Sequence, residues 1–150
     1  ASVPNGFFPA GTAGDRWLSD NTASETIIFD NFSAGVRGFG AFFFGTDFNG
    51  AFLTGKSITI VATDGSGSTS TTLTNTTIGT FLGIVSDQAF TSIAVSAVQD
   101  GVVWPTLNDL TLGAAASQAP EVPEPGTWAT VCLSLAGLGF AARRRKANHQ

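Results

Sequence analysis

The chain of 150 residues has one cysteine, one histidine, no methionine and no tyrosine, and only 12% of it is Asp, Glu, Lys or Arg. That is about half the charged share of an average globular protein, near 25%. A single thiol, Cys132, permits no internal disulfide and leaves the redox compartment open. One histidine, His149 beside the C-terminus, no tyrosine and a lone cysteine in an apolar run exclude most known catalytic triads and metal cages. The absence of methionine implies a processed product or a fragment, with any secretion signal lying upstream.

What is present is glycine (18), phenylalanine (13) and 32 Ser and Thr, with 43% hydrophobic residues overall. This mixture disfavours helical bundles, which need Ala, Leu, Glu and Lys, and suits an all-β domain. It is also too apolar for a charge-driven disordered polymer. All 11 acids lie at or before Glu124, against Arg16, Arg37 and Lys56, so residues 1–125 carry 3 − 11 = −8. A body of that sign is repelled by phosphate backbones, and no nucleic-acid partner is expected. The other four cations form one block, Arg143, Arg144, Arg145 and Lys146.

Residues 1–25 mix turn formers with isolated aromatics and read as a loop-rich entry with an edge strand near 16–18. From 26 the texture becomes short strand-like runs. Segment 37–46 packs four Phe among three Gly, as expected for a strand buried on both faces or passing close to another backbone. Segment 57–63 alternates Ile58, Ile60 and Ala62 with polar residues, 64–68 is a turn, and 69–77 is a polar edge strand. Strands at 78–85 and 90–98 and a short one at 108–112 complete about seven. The expectation is an antiparallel β-sandwich or jelly-roll-like domain over 26–112. A linker follows at 113–121.

Residues 126–142 are uncharged. Seventeen residues sit at the lower limit of about 17–25 for a bilayer-crossing helix, and at 1.5 Å each reach roughly 25 Å. The segment is expected to cross a membrane as a helix over 127–142, contacting lipid. The cations after it favour retention of that end in the cytoplasm, which puts the acidic domain outside. Pro123 and Pro125 deny the helix an earlier start and leave an extended peptide at the membrane surface.

The run Val122-Pro123-Glu124-Pro125-Gly126, the apolar helix with Ala-Gly-Leu-Gly at 136–139, and the block Arg143 to Lys146 together resemble the PEP-CTERM sorting signal. The resemblance covers 122–146. It implies an exported protein of a Gram-negative bacterium that makes exopolysaccharide. It also implies a tail recognised by exosortase, a membrane cysteine transpeptidase that cleaves near the Pro-Glu-Pro. Pro123, Glu124 and Pro125 would then be the substrate's recognition element, the inner membrane the site of the precursor, and the cell surface or matrix that of the mature form. More weakly, 81–87, 90–93 and 107–112 are similar to the closing strands of β domains found ahead of this tail. Asn108-Asp109 departs from the Asp-Asn or Asp-Asp pair common there.

Within the domain, Asp47, Asn49 and Asp64 carry oxygen ligands in Gly-containing loops, and Asp100, Asn108 and Asp109 form a second candidate cluster. Calcium takes six to eight oxygens, and loop ends of sandwiches supply them, but Asp and Asn are also ordinary turn residues. No other cofactor is expected. Trp104, placed between strands, is the candidate sugar contact, with Trp17 behind it. Eleven acids spread over turns give no preferred carboxylate pair. The expectation is therefore a non-enzymatic structural or adhesive protein of the exopolysaccharide matrix or biofilm. A carbohydrate-binding module is the alternative, and a polysaccharide hydrolase comes third.

Overall fold

The Phe-rich segment becomes the most extensively buried strand of the molecule and organises the rest. In the computed structural model, which describes residues 6–33, 35–97 and 101–114, this strand is β4 (Val36–Thr46). Alternation sends Phe39, Ala41 and Phe43 into the core, while Phe42 and Phe44 point to the opposite face. The other strands are β1 (Phe7–Thr12), β2 (Asp15–Asp20), β3 (Thr26–Asp30), β5 (Phe52–Leu53), β6 (Lys56–Asp64), β7 (Gly67–Thr76), β8 (Phe81–Val85), β9 (Phe90–Ala97) and β10 (Trp104–Ala114).

Two antiparallel sheets result. One runs β1-β2-β10-β4, with β5 and β8 sharing the far flank of β4, and the other runs β3-β9-β6-β7. Leaving aside β1 and β5, successive strands alternate between sheets except at the β6–β7 hairpin. The orders 2-10-4-8 and 3-9-6-7 are those of a jelly roll. Ile27 and Phe29 of β3, Ile58 and Ile60 of β6, and Ile93 and Val95 of β9 meet Phe39, Phe43 and Leu107 between the sheets. Phe29 and Phe39 pack edge-on at 5.3 Å.

Glycine is needed on β4 because neighbours crowd its backbone on both sides. A Cβ at Gly45 would lie 2.6 Å from Val103 Cγ1, and one at Gly40 would lie 2.9 Å from the Phe81 ring. The second face of β4 is covered as well. Phe44 is buried under Trp17, edge-on at 4.9 Å, and under Phe52 at 5.9 Å.

Several boundaries differ from the sequence reading. Residues 7–20, inside the segment expected to be loop-rich, form the β1–β2 hairpin; the strand expected near 16–18 lies in β2, which is not an edge but is paired with β1 and, through Thr106↔Ser19 and Leu107↔Leu18, with β10. Their apolar residues are too sparse to alternate cleanly, because the inward face of β2 ends in a carboxylate, Asp20, rather than an aliphatic. The last strand is Trp104–Ala114, not 108–112. It takes in the first two residues of the expected linker and puts Trp104 on a strand rather than between strands. A bulge between Asn108 and Thr111, with Asp109 at φ 52°, interrupts its ladder and hides its length from a period-two pattern. The rest of the linker, the helix expected over 127–142 and the whole of 122–146 lie outside the described residues. Among the described residues, no helix is long and apolar enough to cross a membrane.

Phe43 is fully buried at the centre of the core. Phe43→Ala is expected to lower unfolding free energy by about 3–5 kcal/mol, whereas Phe48→Ala, 70% exposed, stays within about 0.5 kcal/mol. Equal losses in urea titrations of the two variants would contradict this assignment of the core.

Candidate functional site

The β6–β7 turn is built by one carboxylate. Asp64 Oδ1 accepts the Ser66 N–H at 2.7 Å, the Ser66 hydroxyl at 2.6 Å and the Gly67 N–H at 3.2 Å, the Asx-turn chemistry of an Asp-Gly-Ser-Gly sequence. Its other oxygen, Oδ2, accepts the Ser86 hydroxyl at 2.5 Å, and Ser86 Oγ accepts the Gln88 N–H at 3.0 Å. Because β6 and β8 belong to different sheets, Asp64–Ser86 ties the two sheets together at one end of the sandwich.

Beside this tie lies a cleft of about 530 Å³. Ser66, Thr69, Ser86, Asp87 and Gln88 line it with hydrogen-bonding groups, and Ile84, Val85 and Phe90 give it an apolar wall. The hydroxyl of Ser66, then that of Ser86, then the Ser66 N–H hold the Asp64 carboxyl down at about 2. A carboxylate so stabilised is a poor proton acceptor, with Oδ1 committed to its own turn and Oδ2 to Ser86 across the sheets. The cleft therefore offers hydrogen bonding next to an apolar surface, with Asp64 as scaffold. Ser86 and Gln88 carry no signal in the sequence, because their role depends on a contact 22 residues away.

The other candidate ligands are spread through separate turns. Asp47 Oδ1 accepts the N–H groups of Asn49 and Ala51, each at 2.9 Å, and so closes the β4–β5 turn. Asn108 donates from Nδ2 to Asp15 Oδ1 at 3.3 Å, and Asp109 sits in the β10 bulge. Among the described residues, no three His, Cys, Asp or Glu side chains come together in a way that could hold a metal ion. Asp100 and the sorting residues Pro123, Glu124, Pro125 and Arg143 to Lys146 lie outside the described residues.

Trp17 and Trp104 share the outer face of the larger sheet, each half-buried. Between their strands runs a buried hydroxyl chain. Thr106 Oγ1 donates to Ser19 Oγ at 3.0 Å, Ser19 Oγ donates to the Pro105 carbonyl at 3.2 Å, and Thr46 and Thr106 hydroxyls lie 2.8 Å apart. This chain satisfies polar groups under the tryptophans. On the opposite side of β2, Asp20 is fully buried. Its Oδ1 accepts the Thr22 N–H at 3.1 Å, and its Oδ2 has no partner. Burial, offset by the Thr22 N–H and reinforced by Glu25, raises its carboxyl to about 7.

The described domain is thus an antiparallel jelly-roll sandwich with a polar cleft at one end and an aromatic outer face. The segment beyond it carries a specific signal: residues 121–146 match the family described as a PEP-CTERM protein-sorting motif. The chain thus carries a PEP-CTERM sorting motif over 121–146. No curated protein matches it. A solved structure described as TmCBM61 in complex with beta-1,4-galactotriose aligns over 73% of this chain and 68% of its own, at 16% identity and a TM-score of 0.43. Likeness at that level carries no argument about ligand.

Asp20 gives the domain a pH-dependent stability. It ionises at an ordinary 3.8 when unfolded and near 7 when folded, so the fold holds the extra proton between those values. Its contribution is complete below pH 3.8 and is lost as pH rises through 7, at a slope of at most about 1.4 kcal/mol per pH unit. Asp64 works in the other direction and in a lower window, its contribution fading as pH falls from 3.8 through about 2. Denaturant titrations from pH 4 to 8 are expected to show declining stability in the wild type and a flat profile in Asp20→Asn. An equal decline in both would rule out Asp20 as the cause.

Proposed function

We propose that the protein is an exported envelope or extracellular-matrix protein of a Gram-negative bacterium, and that exosortase processes its tail. The observation carrying this reading is the sorting-motif match at 121–146, separated from the end of β10 by six residues. In this reading the apolar segment 127–142 holds the precursor in the inner membrane. Arg143, Arg144, Arg145 and Lys146 keep that end in the cytoplasm, since cationic flanks resist translocation. Pro123, Glu124 and Pro125 present an extended peptide to the enzyme, because a proline-flanked segment needs no unfolding to be bound. The jelly roll is the cargo. Its hydroxyl-rich, charge-poor surface and the scaffolding role of Asp64 support a structural or adhesive part in exopolysaccharide or biofilm rather than a catalytic one.

A carbohydrate-binding module is the second reading. It is favoured by Trp17 and Trp104, both partly exposed on one sheet face, where an indole can stack on the C–H side of a sugar ring.

The mass of the protein recovered from cells tests the first reading. Wild type is expected to lack the residues beyond the Pro-Glu-Pro. A variant with Pro123→Ala, Glu124→Ala and Pro125→Ala is expected to stay full length in the membrane fraction. Identical masses for both would contradict exosortase processing at this motif. For the second reading, Trp104→Ala is expected to weaken binding on a glycan array about tenfold, a loss of about 1.4 kcal/mol. Unchanged binding, or none by the wild type, would exclude it.

A further inference from the structure

Sheet edges expose unpaired backbone groups, and proteins usually blunt them with charge, proline, bulges or covering loops. Three of the free strands here are blunted. β1 contains Pro9, and its Gly11 N–H is taken by the Gly50 carbonyl at 3.2 Å. β3 has five residues and ends on Asp30. β7 is almost wholly Ser, Thr, Asn and Gly, and its pairing with β6 is bulged near Lys56.

β8 has none of these protections. Its sequence, Phe-Leu-Gly-Ile-Val, contains no charge and no proline, and its register with β4 is unbroken from Phe81↔Phe42 to Val85↔Gly38. The Phe43 N–H bonds the Thr80 carbonyl at 2.9 Å and the Ser86 N–H bonds the Arg37 carbonyl at 2.9 Å. By antiparallel alternation, Leu82 and Ile84 also turn their backbone groups toward β4. Phe81, Gly83 and Val85 therefore turn theirs outward, with β4 as the one strand partner of β8 among the described residues. The same residues carry exposed apolar side chains, Phe81 at 55% and Val85 at 86%. A shallow apolar groove of about 240 Å³ continues from them over Gly38, Gly40 and Gly113.

We propose that β8 is an assembly edge that pairs antiparallel with β8 of a second copy of this chain, with Gly83 on the two-fold axis. The sequence is self-complementary about that glycine: apolar residues flank it in both directions. Residues 81, 83 and 85 of one copy face 85, 83 and 81 of the other, each pair exchanging two N–H···O=C bonds. Phe81 then lies beside Val85 of the second copy, and Gly83 leaves room for both rings. Asp87 of each copy falls opposite Gly79 of the other, so the pairing sets no like charges face to face despite the acidic domain. The two larger sheets become one continuous sheet through an isologous contact.

The test uses the full chain in mild detergent, by sedimentation velocity over a concentration series and by amide hydrogen exchange. A reversible dimer is expected. Val85→Lys should weaken it at least tenfold, because an edge lysine blocks strand addition, while Phe48→Lys, a comparable loss of exposed apolar surface elsewhere, should leave it unchanged. Amides of Phe81, Gly83 and Val85 should slow with rising concentration, and those of Leu82 and Ile84 should not change. A monomer at every concentration would overturn the proposal. Equal weakening by both lysines would do the same, as would protection of the three amides that does not depend on concentration, which marks an intramolecular strand. None of these outcomes bears on processing at the sorting motif.

Discussion

The constraint on which this domain depends is that β4 is buried on both faces and paired along both flanks. Four of the phenylalanines lie on this one strand and are divided between its two faces. Phe39 and Phe43 fill the space between the sheets, while Phe44 anchors a second cluster with Trp17 and Phe52 on the outer face. β10 occupies one flank of β4, and β5 and β8 divide the other. Such crowding leaves no room for a Cβ at Gly45, where the buried Val103 side chain would lie 2.6 Å away.

The polar features are consequences of that arrangement. The hydroxyl chain Ser19–Thr106–Thr46 crosses three strands beneath the outer cluster, so its members must satisfy one another. At the ends of the sandwich, two carboxylates meet opposite environments. Asp64 gathers three donors in a turn and ties the sheets through a fourth, Ser86, whereas Asp20 is enclosed with one oxygen unpaired. The same side chain is thus held ionised at one place and pushed toward neutrality at the other.

Much of the sandwich was legible where burial is one-sided. The alternation of Ile58, Ile60 and Ala62 marks β6, and the Thr-rich run after the Asp-Gly-Ser-Gly turn marks its edge neighbour β7. The Phe-Gly run announced β4 because few other contexts need both residue types together. Of the β1–β2 hairpin, only the strand near 16–18 was legible, and it lies within β2; β1 was not, and neither was the pairing of β2 with β10, some 87 residues away. The true length of β10 was hidden by its bulge. At the cleft, Asp64 was visible as a turn residue, but its partner Ser86 was not, because the tie is a property of the topology. The sorting motif was legible from the order and spacing of its residues, and the family match at 121–146 agrees with the expected bounds of 122–146 to within one residue.

β4 is the strand whose opening requires the whole domain to open. Native-state amide hydrogen exchange measures this directly. The amides of Phe42 and Phe44, which face β10, are predicted to exchange only through global unfolding, with the same free energy as the denaturant titration, while those of β1 exchange through smaller local openings. Exchange of the β4 amides at free energies well below the global value would show that the core is organised around some other strand.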